Sequence, residues 1–201
     1  MRPLTPPLEL LRRTSGWRRW PRTAAFGSFY FFVRWLVGGI PFFALVAALG
    51  VWDWRVGSKV AGRRTLEEVL VQHYVFFTCG VGGIWNTIGH SVMADSVARS
   101  IGWAPGSGFQ LELAAAHFGL ALVAFAVPWT HWHATASIAV AKCVFLLGAG
   151  AVHLHDALTS GNHAVNNTGF ATLWFGDILV PLTVLVLIVR ASRRPGTSTP
   201  E

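Results

Sequence analysis

Eight histidines and a few charged side chains stand in a chain that otherwise avoids polar groups, and these are the residues able to do chemistry. Of 201 residues, 53% are hydrophobic and only 12% charged, about half the charged share of an ordinary soluble domain. Within the apolar stretches lie Arg34, His73, His90, Glu112, His117, Lys142, His153, His155 and Asp177. Imidazole gains and loses a proton near neutral pH and binds Zn, Cu, Fe and Ni. A neighbouring carboxylate can orient such a ring or hold a counter-charge.

The spacing separates these residues into groups. His90, Asp95, Glu112, His153 and Asp177 form the candidate polar site. His90 and His153, with His117 as a third, are the candidate ligands for a metal ion or a haem. The pattern matches no named metal motif, since His153 and His155 are two apart and do not share a helix face. Glu112 and His117 point roughly 140° apart around a helix and so need different partners. Glu112 also suits a helix N-terminus, where the dipole favours a carboxylate. Arg34 and Asp177 are expected to form an ion pair that locks the first apolar stretch to the last, because a buried charge without a partner is costly. There is no Gly-rich phosphate loop, no Ser nucleophile elbow and no Cys-x-x-Cys. Cys79 and Cys143 lie in apolar runs and read as reduced, buried small side chains.

The elements that must position these groups are membrane spans. A span needs about 20 apolar residues, and five stretches qualify, at about 27–51, 69–90, 111–129, 134–154 and 170–190. The expected fold is therefore all-α: a five-helix integral membrane bundle occupying residues 26–190. A basic, mobile tail over 1–25 precedes it and a basic tail over 191–201 follows it. A short interfacial helix is expected over 91–101, where Asp95 and Arg99 stand four apart, a favourable helical pair. Trp52, Trp54, Trp103, Trp129 and Trp132 fall at span ends, as an interfacial aromatic belt requires. The Thr130–His133 turn is so short that the third and fourth spans should be antiparallel neighbours.

Charge excludes some functions. The net charge of +7 is concentrated in the tails and one loop, flanking apolar spans, which suits an anionic bilayer surface and argues against nucleic acid as a partner. Positive charges tie between the two sides of the bundle. The first helix usually dominates, which places the N-terminus in the cytoplasm. Most of the intramembrane polar groups converge on the leaflet nearest the N-terminus, whichever way the protein is inserted. The other half has only His73 and Lys142 within its spans.

The run from Gly89-His90 through Ala94-Asp95-Ser96-Val97-Ala98 to Gly102-Trp103-Ala104-Pro105-Gly106-Ser107-Gly108-Phe109-Gln110-Leu111-Glu112 resembles the signature of a small family of uncharacterised bacterial multi-pass membrane proteins. Val144–Ala149 with His153, and Gly176–Leu182, resemble its later segments, so the likeness covers about residues 66–185. It implies a shared set of His90, Asp95, Glu112, His153 and Asp177 and a bacterial plasma-membrane location, and carries no activity with it. Two departures stand out: Gly108 where the family pattern has Pro, and His117 in place of a residue of a Phe-Ala-Asn-like run.

Three functions compete on these grounds: a polar metal- or haem-binding site in the leaflet on the N-terminal side, a proton-coupled small-solute transporter or an accessory subunit of one, and a structural protein whose polar groups only pair helices. Intramembrane His, Asp and Lys often mark proton paths. Five spans are few for a transporter, and a homo-oligomer could supply more.

Overall fold

The structure, a computed structural model, describes residues 39–57 and 64–193. The described residues are almost entirely helical. Helix α1 is Ile40–Gly57. Helix α2 begins as Leu66–His73, continues without a break through Tyr74–Val81 and ends as Gly82–Ser91. Then come α3 (Ala94–Ile101), α4 (Phe109–Phe125), a 3-10 turn at Val127–Trp129, α5 (Trp132–Ser160) and a single turn, α6 (Val165–Thr168). Helix α7 runs through Phe170–Leu179 and Val180–Ser192.

Four helical stretches are long and apolar enough to cross a bilayer: Ile40–Gly57, Phe109–Trp129, Trp132–Ser160 and Val165–Ser192. Between 11% and 28% of the residues in their most apolar windows are buried within the protein. Most of the apolar surface therefore points outward, with Leu45, Leu122, Val144, Leu158 and Val186 all more than half exposed. A surface of that kind suits contact with a lipid bilayer. The chain is a membrane protein. The count of qualifying helices is four against the five expected from sequence; α2, with Glu67 and Glu68 in its first turn, is not among them.

Local chemistry sets the helix ends. Thr65 starts α2 with a reciprocal cap: its hydroxyl accepts from the Glu68 N–H at 3.2 Å, and Glu68 Oε2 accepts from the Thr65 N–H at 2.7 Å, satisfying two otherwise orphan donors. Gly102 ends α3 with φ of 85°, a left-handed conformation that glycine adopts without penalty. Here the expected 91–101 helix is shorter, because α2 continues through Ser91 and a turn at Val92–Met93 separates it from α3. The inward side of α3 is Val97, Ala98 and Ile101, whereas Val92 is 63% exposed.

Two stretches depart from α geometry. Over Tyr74–Val81 and Phe170–Leu179 the backbone bonds reach five residues back, as in Gly82 N–H to the Phe77 carbonyl and Val180 N–H to the Phe175 carbonyl. Such π-turns are rare and cluster at functional sites. Both stretches pack against α5.

Helix α4 lies chiefly along α2, and α5 along α7. The third and fourth spans therefore meet at their short turn, but each takes its main packing partner elsewhere. Small residues make the α2–α4 approach possible: a Cβ on Gly83 would stand 3.0 Å from that of Ala121, and one on Gly80 would stand 3.0 Å from the Phe125 ring. Close backbone approach of this kind is how membrane helices gain dispersion contacts without a hydrophobic driving force. The central core is Val71, Tyr74, Val75, Cys79, Ala124, Val127, Ala139, Cys143, Val180 and Val184.

Candidate functional site

Helix α5 passes through two polar regions. At its C-terminal end, His153 (9% exposed) sits with Nδ1 2.6 Å from Asn167 Oδ1. The Asn167 amide nitrogen donates to the Asn162 carbonyl at 2.7 Å, so Oδ1 faces the ring and His153 Nδ1–H is the donor. The ring stacks on Trp103 at 5.4 Å. Trp103 Nε1–H donates to Asp156 Oδ2 at 2.9 Å, and Asn162 Nδ2 donates to the same oxygen at 2.7 Å and to the Ile101 carbonyl at 2.9 Å. Ser160 donates to the other Asp156 oxygen and to its carbonyl. Gly102 lies directly beneath Asn162, and any side chain there would collide with the Asn162 amide. Four separate pieces of chain are tied together here: α3, its following loop, the end of α5, and α6. The amide, carboxylate and indole groups in this description all find partners, as buried polar networks require.

The second region is deeper. Gln110, 2% exposed in the first turn of α4, receives His90 Nδ1 at 2.7 Å on Oε1. The His90 ring lies face to face with His117, centroids 5.7 Å apart and planes 7° from parallel. His117, 6% exposed, meets the Phe145 ring edge-on at 5.2 Å. Above the Phe145 ring, 4.8 Å from its centroid, is Lys142 Nζ. Lys142 is 2% exposed, and its electrostatic neighbours are Cys79, Asp177 and Cys143. The Tyr74 hydroxyl is buried without a hydrogen-bond partner among the described residues, within electrostatic reach of both thiols. Asp177, 8% exposed, belongs to the π-turns of α7. It packs so closely on α5 that a Cβ at Gly150 would stand 3.1 Å from its own Cβ.

This geometry sorts the residues expected from sequence. His90 stacks on His117, and His117 and Lys142 both meet the Phe145 ring, while Asp177 reaches Lys142 only electrostatically. His153 is held by Asn167 and Trp103. Asp95 is partly exposed and accepts from the Gly106 N–H at 3.0 Å, fastening the 102–108 loop to α3. Glu112 is exposed in the first turn of α4. Arg34, and with it the expected ion pair to Asp177, lies outside the described residues, as do both basic tails but for Arg193 and the first part of the first span. For the candidate metal ligands, His90 and His153 each engage a different amide. Among the described residues no group of three His, Cys, Asp or Glu side chains comes together that could hold a metal ion.

Sequence reasoning placed Lys142 in the far leaflet, away from the candidate site. It gave Cys79, Cys143 and Tyr74 no part in one. Gln110, Asn167 and Trp103 were also missed as partners of the two histidines. One signal was available for Lys142: it is the one lysine inside an apolar run, at a depth where a charge needs a reason.

A model of a family of unknown function, DUF6790, matches residues 37–197, well past the 66–185 stretch that carries the sequence motifs. No curated protein and no solved structure matches the chain.

Proposed function

This chain belongs to the family of unknown function DUF6790, and on that premise we propose that it is a five-span membrane protein that moves protons across the bilayer. The spans are α1, α2, α4, α5 and α7, with the N-terminus and the His90 end of the bundle facing the cytoplasm. The proton is held at Lys142 and Asp177 and enters through His90 and His117.

One observation carries this reading: an amine, 2% exposed, about a third of the way along an apolar helix, with a carboxylate in electrostatic reach. An ammonium at that depth costs several kcal/mol, and hydrophobic packing alone would be served better by Met or Leu. Lys142 and Asp177 together form a neutral pair when the amine is protonated and the acid is not. Adding one proton makes the pair cationic, and removing one makes it anionic, so the pair can hold or release a proton at moderate cost. The stacked imidazoles of His90 and His117 supply ring nitrogens that can take up and pass on a proton. At 5.7 Å two imidazolium ions would repel strongly in a low dielectric. One proton at a time therefore occupies the stack.

The test is proton flux in liposomes that contain a pH-sensitive dye, driven by a potassium diffusion potential. Wild-type protein should acidify the lumen above the rate of empty liposomes, and Lys142→Met and Asp177→Asn should return it to that rate with the protein still monodisperse. No flux from wild type, or full flux from Lys142→Met, overturns the reading. The structural reading is favoured only at the C-terminal end of α5, where the His153–Asn167–Asp156–Trp103 bonds are saturated.

A further inference from the structure

At the opposite end of the bundle α2 carries another imidazole in a different setting. His73 is about 10 Å inside the capped start of α2 by the helical rise, with 18% of its side chain exposed. Its Nδ1 is 2.9 Å from the Val69 carbonyl oxygen. A carbonyl can only accept, so Nδ1 carries the hydrogen and Nε2 is the acceptor of the neutral ring. Nε2 lies 4.0 Å from Asp53 Oδ2 on α1, and that carboxylate is 45% exposed.

The surroundings of this pair are specific. Arg64 Nη2 is 3.9 Å from the same Asp53 oxygen, and Arg64 Nη1 donates to Gln72. Gly50 lets α1 approach: a Cβ there would stand 2.9 Å from Leu70 Cδ2 and 3.6 Å from the His73 ring. On its inward side the ring faces Phe77 at 6.1 Å. The next residue, Tyr74, is buried with its phenol within electrostatic reach of Cys143, which adjoins Lys142. Helix α7, also packed on this part of α2, brings the apolar Val184 and, in its last turn, Arg190. Helix α5 brings Cys143 and Lys142, and the first turn of α2 itself holds Glu67 and Glu68.

We infer that His73 and Asp53 form the second proton port of the Lys142 site, on the membrane face opposite His90. The inference rests on the proton-moving function proposed above. A proton from water forms an N–H bond at His73 Nε2, and the Asp53 carboxylate offsets the new positive charge. Inward transfer breaks an imidazolium N–H bond, and the proton forms a new N–H bond on the neutral Lys142 amine. Each group gains and loses one proton, and no electron moves. This port gives the Lys142 site a second entry, on the face opposite His90.

The experiment uses the full chain in uniformly oriented liposomes. His73→Ala should slow proton flux roughly tenfold, and His73→Gln should do the same if the smaller side chain disturbs folding. Asp53→Asn should slow it less. Imidazole added on the His73 face should restore flux to His73→Ala, and imidazole on the His90 face should not. A merely structural role predicts no sided rescue, so loss of flux without rescue overturns the port. Unchanged flux in His73→Ala and Asp53→Asn, with Lys142→Met silent, overturns the port while leaving the proton function intact. A wild type without flux overturns both.

Discussion

The two polar regions along α5 are built from similar residues and solve opposite problems. At the C-terminal end, Asp156 collects Trp103, Asn162 and Ser160, and His153 is fixed between Asn167 and Trp103. About a third of the way along, Lys142 holds its amine over the Phe145 ring, with two thiols and a carboxylate in electrostatic reach. Near the membrane surface a polar group can be fully satisfied by loop amides and water, so a dense network is an inexpensive fastening. Deep in the bundle few donors exist, and a charge placed there stays responsive to protonation. On the proposed reading, a histidine in the first setting holds the fold, and a histidine or lysine in the second is available for chemistry.

The sharpest way to break this comparison is to swap the expected outcomes. Lys142→Met should abolish proton flux yet leave the melting temperature in detergent unchanged or raised, because apolar replacement of a buried ion is often neutral or stabilising. A large loss of stability instead would make Lys142 a fastening like Asp156. Asn167→Ala should do the reverse. Asn167 is fully buried, and its removal strands the His153 Nδ1–H and the Asn162 carbonyl, a cost of about 2–3 kcal/mol. Thermal unfolding reads that loss, while flux per folded molecule should stay near wild type.

Smaller effects sharpen the same contrast. Gly102→Ala imposes a left-handed φ on an alanine and a collision with Asn162, and should lower stability by about 1–2 kcal/mol with little change in flux. His90→Gln should lower flux while His153→Gln lowers stability, since only His90 stacks on the His117–Phe145–Lys142 line. An absorption spectrum and elemental analysis of the same two variants tests the metal and haem alternative. A Soret band or near-stoichiometric metal that both variants lose would join the two regions into one site and end the comparison.

Much of the candidate site was legible as residue types, and little of it as neighbours. Polar residues in apolar stretches mark themselves, which is why His90, His117, Lys142, His153 and Asp177 could all be named. Their grouping assumed a uniform 100° per residue along each span. The π-turns at 74–81 and 170–179 break that phase, so the faces of α2 and α7 beyond them cannot be read from spacing. His117, a departure from the family pattern, lies between His90 and Phe145.

Hydropathy alone determined that this is a helical membrane protein, because a run of about 20 apolar residues has no other stable home, and capping residues such as Thr65 and Gly102 set helix ends locally. Helix pairing was decided only in three dimensions. Gly83 against Ala121 draws α4 to α2, and Gly150 against Asp177 draws α7 to α5. Apolar helices in lipid are all equally greasy to one another, so partner choice rests on the fit of small residues and a few polar groups from distant parts of the chain. That fit seats Asp177 against α5, within electrostatic reach of Lys142, and leaves His153 to the loops.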